Sequence, residues 1–247
     1  MKETETYEEY TPKGGIMIPL HRRDFFRIIG GGLYVFFQIS NPFEIIGAEA
    51  EQRRSLTDNY NAFLRIAEDG EVYCMVGKIE MGQGIITSLP QMLADELDVS
   101  MKRVKMIMGD TDLCPWDGGT HGSLTTRAFS PFMRKAAAEA RAVLLEMASE
   151  KLGVKVDELG INDGVISVKN NPAKKVSYAE LTIGQKIARY MDNKPDFKDY
   201  SQFKFMGKSF IHQDGVIKVK GEAKFAADMR LPGMLYARVL RPPSHGA

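Results

Sequence analysis

Val72-Tyr-Cys-Met-Val-Gly-Lys-Ile-Glu80-Met-Gly-Gln-Gly84 leads into Ile85-Ile-Thr-Ser-Leu89-Pro-Gln-Met-Leu93-Ala-Asp-Glu-Leu97, and soon after into Val104-Lys-Met-Ile-Met108. The residues from Val72 to Ile79 are mostly β-branched, aromatic or otherwise apolar and read as a strand. From Ile86 to Leu97 the leucines fall four apart, at Leu89, Leu93 and Leu97, which is the period of a helix with one apolar face. Pro90 is compatible with that helix only near its first turn. Val104 to Met108 alternates as a short strand. A strand, a glycine turn, a helix and a strand in succession predict an α+β fold.

Working outward, Ala62–Ile66 is a second strand-like run upstream, and Glu68-Asp69-Gly70-Glu71 between the two runs is a hairpin signal. Downstream, a turn-rich loop from Gly109 to Gly122 precedes a long helical pattern from Ser123 to Leu152. Its apolar stripe is Phe129, Phe132, Met133, Ala136, Ala140, Val143, Leu144 and Met147, and Gly153 ends it. Pro131 should kink that helix or delay its start. Ile161 to Val168 reads as another hairpin with Asp163-Gly164 at its turn, and Ser177 to Ile187 as a short helix. Residues 190–215 are polar and aromatic with little periodicity, and read as a connector.

The N-terminal fifty residues read as an address. His21-Arg-Arg-Asp-Phe-Phe-Arg27 sets two arginines before a Phe-Phe pair, and an apolar, glycine-rich run follows from Ile28 to Ile39. That run is shorter than the roughly 20 residues a spanning helix needs. Ala48-Glu49-Ala50 beyond it suits a signal peptidase. The order is that of a twin-arginine export signal or anchor, which predicts a periplasmic or periplasm-facing protein and a role for the Tat export machinery. The route carries folded proteins, cofactor included.

The chain has 247 residues, 44% of them hydrophobic and 26% charged, which is ordinary globular material. Lys and Arg number 33 against 32 Asp and Glu, for a net charge of +1. So balanced a surface predicts no nucleic-acid partner. Two cysteines, Cys74 and Cys114, outside any CxxC pair, exclude a cysteine-based zinc site or an iron–sulfur cluster held by this chain alone, and predict two separate thiols.

Two glycine-flanked loops carry the candidate chemistry. In Glu80-Met81-Gly82-Gln83-Gly84 the glycines permit close backbone approach and positive φ, and the following helix offers unpaired N–H groups, a natural anion seat. Gln83 adds an amide that both donates and accepts. In Asp117-Gly118-Gly119-Thr120-His121-Gly122-Ser123-Leu124-Thr125-Thr126 hydroxyls crowd the start of the long helix. They are suited to capping it or to holding a phosphate or polar heterocycle. Each loop alone is a weak signal, more often a plain turn or helix cap than a ligand seat. Together, some forty residues apart, they could converge on one long phosphorylated ligand.

Glu80-Met-Gly-Gln-Gly84, Gly109-Asp-Thr111 and Gly118-Gly-Thr-x-Gly-Ser-x-Thr-Thr126 together resemble the molybdopterin-binding subunits of the xanthine dehydrogenase and aldehyde oxidase family, in the branch typified by the large (β) chain of isoquinoline 1-oxidoreductase. In that branch a molybdopterin-binding segment precedes an α/β hammerhead domain, and Val219 to Val239 is similar to the opening of that hammerhead. The resemblance divides the chain into an export segment (1–50), a molybdopterin-binding segment (56–189), a connector (190–215) and a hammerhead beginning (216–247). It implies that Gly82, Gln83 and Gly84 contact the molybdopterin, and that Thr120, Gly122, Ser123 and Thr125 hold the pterin or its dinucleotide phosphates. It implies a molybdenum cofactor, in the cytosine dinucleotide form expected of bacteria. Electrons would leave through [2Fe-2S] clusters on a small partner subunit, and the substrate would be a small N-heterocycle or an aldehyde, with water as oxygen source.

The family's catalytic glutamate lies in a segment beyond the hammerhead, and Glu80 belongs to a different motif, so no residue here is assigned as catalytic and none as a metal ligand. The rest of the large subunit's cofactor envelope is thus an expected partner, and residues 1–247 alone are expected neither to retain the cofactor tightly nor to turn over. A reading from another class is an exported, non-catalytic α+β module that binds an anionic ligand or a partner.

Overall fold

The structure is a computed structural model, and it describes residues 31–37, 62–115, 117–190, 196–241 and 244. The chain divides into two compact units, residues 1–210 and 211–247. The twin-arginine motif and Ala48–Ala50 lie outside the described residues.

The first unit is built on a five-stranded sheet. Its strands are β1 (Gly32–Phe37), β2 (Ala62–Ile66), β3 (Val72–Val76), β4 (Val104–Met108) and β8 (Lys186–Tyr190), in the spatial order β4-β3-β2-β1-β8. β2 and β3 form the expected hairpin, with Gly70 at φ 79° and the Ala67 N–H and Glu71 carbonyl joined at 2.9 Å. β3 and β4 are parallel, as strands joined through a helix can be; that helix, α1, spans Ile85–Leu97. Pro90 sits in its second turn, one turn deeper than expected, and is buried.

The alternation of side chains gives the sheet two apolar faces. Leu33, Val35, Leu64, Ile66, Val72, Cys74 and Val76 face Leu89, Leu93 and Leu97 of α1 and Met133, Ala136, Ala140 and Leu144 of the long helix α2 (Ser130–Leu152). Tyr34, Phe36, Phe63 and Met75 form a cluster of their own on the other face. There Arg65 lies 5.8 Å from the Tyr34 ring centre and 5.4 Å from that of Tyr73, and donates to the Gly31 carbonyl. Burial pushes the Tyr34 phenol up to about 12.

Three readings of the sequence change here. Residues 28–39, read as part of an address outside the fold, include β1, which lies between β2 and β8 with Leu33, Tyr34 and Val35 fully buried. A strand covered on both faces is apolar at every position, so its composition is that of an export segment. The short helix expected from Ser177 to Ile187 stops early: α3 covers Tyr178–Thr182, capped by Ser177 and Glu180, and the chain then extends into β8 beside β1. The connector is partly an integral strap. Asp95, buried in α1, accepts the backbone N–H groups of Lys204, Phe205 and Met206 at 2.7–3.2 Å. Glu96, fully buried, accepts the Lys198 N–H at 2.8 Å, and Gln91 donates to the carbonyls of Phe205 and Lys208. Arg134 of α2 stacks between Phe197 and Phe203.

A second sheet is a meander of β5 (Leu159–Asn162), β6 (Val165–Val168) and β7 (Asn171–Ser177). Its first turn is the expected Asp163-Gly164, both residues at positive φ, as a two-residue hairpin with right-handed twist requires. Both cysteines are free. No helix among the described residues is long and apolar enough to cross a membrane.

The second unit holds α4 (Gly215–Val219), with Asp214 paired to Lys218, and a single 3-10 turn at Ala226–Asp228. Its described residues form no strand, so the expected hammerhead opening is not seen as strands. A strand needs a neighbour to satisfy its backbone N–H and C=O groups. Leu235, Val239 and Leu240 are exposed by 86–97%.

Candidate functional site

The two glycine loops meet at one end of the sheet. The first leaves β3 and enters α1; the second leaves β4 and enters α2. Between them is a hollow of about 470 Å³ lined by Met81, Gln83, Ile85, Ser88, Thr120, His121, Gly122, Ser123, Thr125 and Thr126. Of the residues singled out in the sequence, Gln83, Thr120, Gly122, Ser123 and Thr125 therefore share one cavity. Gly82 and Gly84 are not part of its lining; they shape the loop, at φ 102° and 83°. Ser88 was missed by sequence reasoning. Its signal was helical spacing, since it lies one turn beyond the glycine loop near Ile85.

The head of α1 departs from expectation. Glu80 turns back on its own loop: Oε1 accepts the N–H groups of Gly82 (2.7 Å) and Gly84 (3.0 Å), and Oε2 accepts that of Ile86 (2.9 Å). The chain's own carboxylate thus takes the anion seat predicted there, because free N–H groups at a helix start favour the nearest negative charge. Gln83 is also engaged, accepting from the Met81 N–H at 2.5 Å and donating to the Ile79 carbonyl at 3.0 Å. Its amide is held in place within the loop while lining the hollow.

The second loop is pinned to the end of β3. Lys78 Nζ lies 2.7 Å from Asp117 Oδ1 and 2.7 Å from the Gly119 carbonyl, and the Ile79 N–H donates to Thr120 Oγ1 at 2.9 Å. The Thr120 hydroxyl keeps its proton to donate. Gly122 and Ser123 are both left-handed, at φ 58° and 56°. The chain then makes a π turn over Thr125–Phe129 before α2 begins at Ser130. The expected delay from Pro131 has a direct cause: proline has no N–H for the Arg127 carbonyl, and the opening turn widens instead.

The lining contains no Asp, Glu, Lys or Arg. Hydroxyls of Ser88, Thr120, Ser123, Thr125 and Thr126 and the amide of Gln83 are its polar groups, beside Met81 and Ile85. This donor and acceptor set fits the flat, polar body of a pterin. It fits a phosphate less well, because Glu80 occupies the head of α1. Among the described residues no group of three or more His, Cys, Asp or Glu could hold a metal ion.

The two glycine loops thus bring hydroxyls and an amide to one hollow at the end of an α+β unit. The sequence pattern of the molybdopterin cofactor-binding domain matches residues 21–222, and the chain belongs to that family. It is 38% identical over 184 residues to the B subunit of nicotinate dehydrogenase from Pseudomonas putida, covering 74% of this chain and 15% of that protein. It is 29% identical over 225 residues to the beta subunit of isoquinoline 1-oxidoreductase from Brevundimonas diminuta, covering 75% of this chain and 29% of that one. A solved structure of reconstituted CO dehydrogenase from Oligotropha carboxidovorans is 30% identical, with a TM-score of 0.44, over 49% of this chain and 15% of that chain. The chain thus spans less than a third of the length of both curated relatives.

Proposed function

We propose that this chain is the N-terminal, cofactor-holding part of a molybdenum hydroxylase that hydroxylates an N-heterocycle or oxidises an aldehyde. The observation that carries the reading is that Gln83 and Ser123, forty residues apart, line one hollow in a member of the molybdopterin-binding family. The molybdenum centre on the pterin supplies the redox chemistry when bound. The chain's own residues bind and orient. Gln83 offers an amide fixed by the loop, the hydroxyls of Thr120, Ser123 and Thr125 hydrogen-bond a heterocycle edge, and the bare backbone at Gly122 allows close approach. Glu80, committed to three N–H groups, is no base.

The reading extends to the partners: the rest of the large subunit's cofactor envelope and a small subunit with [2Fe-2S] clusters, with the cytosine dinucleotide form of the cofactor. The order of residues 21–50 supports twin-arginine export to the periplasm. The burial of Leu33, Tyr34, Val35 and Phe36 in the sheet supports a segment that stays with the chain, since cleavage after Ala50 would strip β1 from between β2 and β8.

The test is cofactor content of the assembled protein purified from its own host, read as molybdenum and as pterin fluorescence per chain. Gln83→Ala is expected to lower both by about tenfold, as the loss of one fixed polar contact would. Thr125→Val, which removes a hydroxyl at nearly constant shape, is expected to lower them by about three- to tenfold. Wild-type content in both variants would overturn the assignment.

A further inference from the structure

We infer that Lys78 and Asp117 are a positioning pair, setting the second glycine loop against the first so that the hollow keeps its width; this rests on the reading of the hollow as the cofactor seat. Neither residue lines the hollow. Their side chains are 10% and 3% exposed, and the charges are 2.7 Å apart. A buried ion pair is weak evidence for a stabilising role, because desolvation offsets much of the attraction. What this pair does is geometric. Lys78 Nζ also reaches the Gly119 carbonyl at 2.7 Å, and Asp117 Oδ1 also accepts the Gly119 N–H at 2.8 Å. Both polar groups of Gly119 are thus tied down immediately before Thr120 to Ser123, which line the cavity.

The neighbours of Lys78 act in the same sense. At Gly77 a Cβ would come within 2.4 Å of the Asp117 Cβ and 2.8 Å of the Pro115 carbonyl oxygen, so the loop lies directly on the backbone there. At Ile79 the N–H holds Thr120 Oγ1. Gly77, Lys78 and Ile79 thus present contact, charge and hydrogen bond in turn to three successive parts of one loop. The Ile79 carbonyl in turn holds Gln83. One short stretch at the end of β3 thereby fixes residues on both sides of the hollow.

The test is the neutral, similarly sized double variant K78M/D117N in the assembled protein, which leaves no unpaired buried charge. It is expected to unfold at the wild-type temperature to within a few degrees, while amide exchange over residues 119–124 quickens by about tenfold and bound pterin per chain falls by about tenfold. Lys78→Arg, which keeps the charge and reaches both acceptors, is expected to hold pterin content within about twofold of wild type. Wild-type exchange over 119–124 in the double variant would overturn the inference. So would faster exchange with full pterin content, or a Lys78→Arg protein that loses pterin as severely as the double variant. If the double variant does not fold, the pair is structural and the inference fails. The exchange readout needs no cofactor, so a wild-type assembly without pterin would sink the functional reading and leave the loop geometry still tested.

Discussion

Gly32→Ala is expected to destabilise the first unit by about 3 kcal/mol or more, read as a fall in the urea midpoint of the purified chain. Gly32 has φ 131°, a region that side chains rarely enter, and a Cβ there would lie 2.3 Å from the Ile66 carbonyl oxygen. That oxygen belongs to β2, the strand paired with β1, and cannot move without opening the ladder from Leu33↔Ile66 onward. The substitution also separates two accounts of one segment. In an export signal alanine in place of glycine makes the apolar run more hydrophobic and leaves the folded domain untouched. In β1 it breaks the sheet where β1 joins β2. An unchanged midpoint would remove β1 from the fold.

Asp95→Ala is expected to cost about 3–5 kcal/mol, and Asp95→Asn about half as much. The carboxylate is 2% exposed and gathers three consecutive N–H groups of the strap, those of Lys204, Phe205 and Met206. Alanine leaves all three without their acceptor, whereas asparagine keeps one acceptor oxygen. Denaturant unfolding measures the loss, and limited proteolysis places it, with new cleavage expected between residues 196 and 208 in the alanine variant. Resistance of that stretch to protease would count against the strap.

These two sites mark where the sequence was legible and where it was not. Hairpins with Asp-Gly turns and the leucine period of α1 could be read directly, because local chemistry and burial agree there. β1 could not. Leu33-Tyr-Val-Phe-Phe37 is apolar on both faces, and without alternation nothing separates a doubly covered strand from an export segment. The strap was hidden because Asp95 and Glu96 look like ordinary helix surface in sequence. Their burial depends on residues about a hundred positions away, and no pattern of period 2 or 3.6 reports it. At the site, the meeting of the two loops followed from paired glycine turns before helices. The self-capping by Glu80 did not, because a carboxylate five residues before a helix start can turn to solvent as readily as inward.

The Glu80 turn has a kinetic meaning. Its three amide partners are ordered when the polypeptide folds, so the loop holds its bend before any guest arrives. A ligand then enters a mould already set, and little conformational entropy is lost at that moment. Capture should accordingly be limited by how quickly the guest is delivered and desolvated, and the apo and loaded forms should share nearly the same backbone from Ile79 to Ile86.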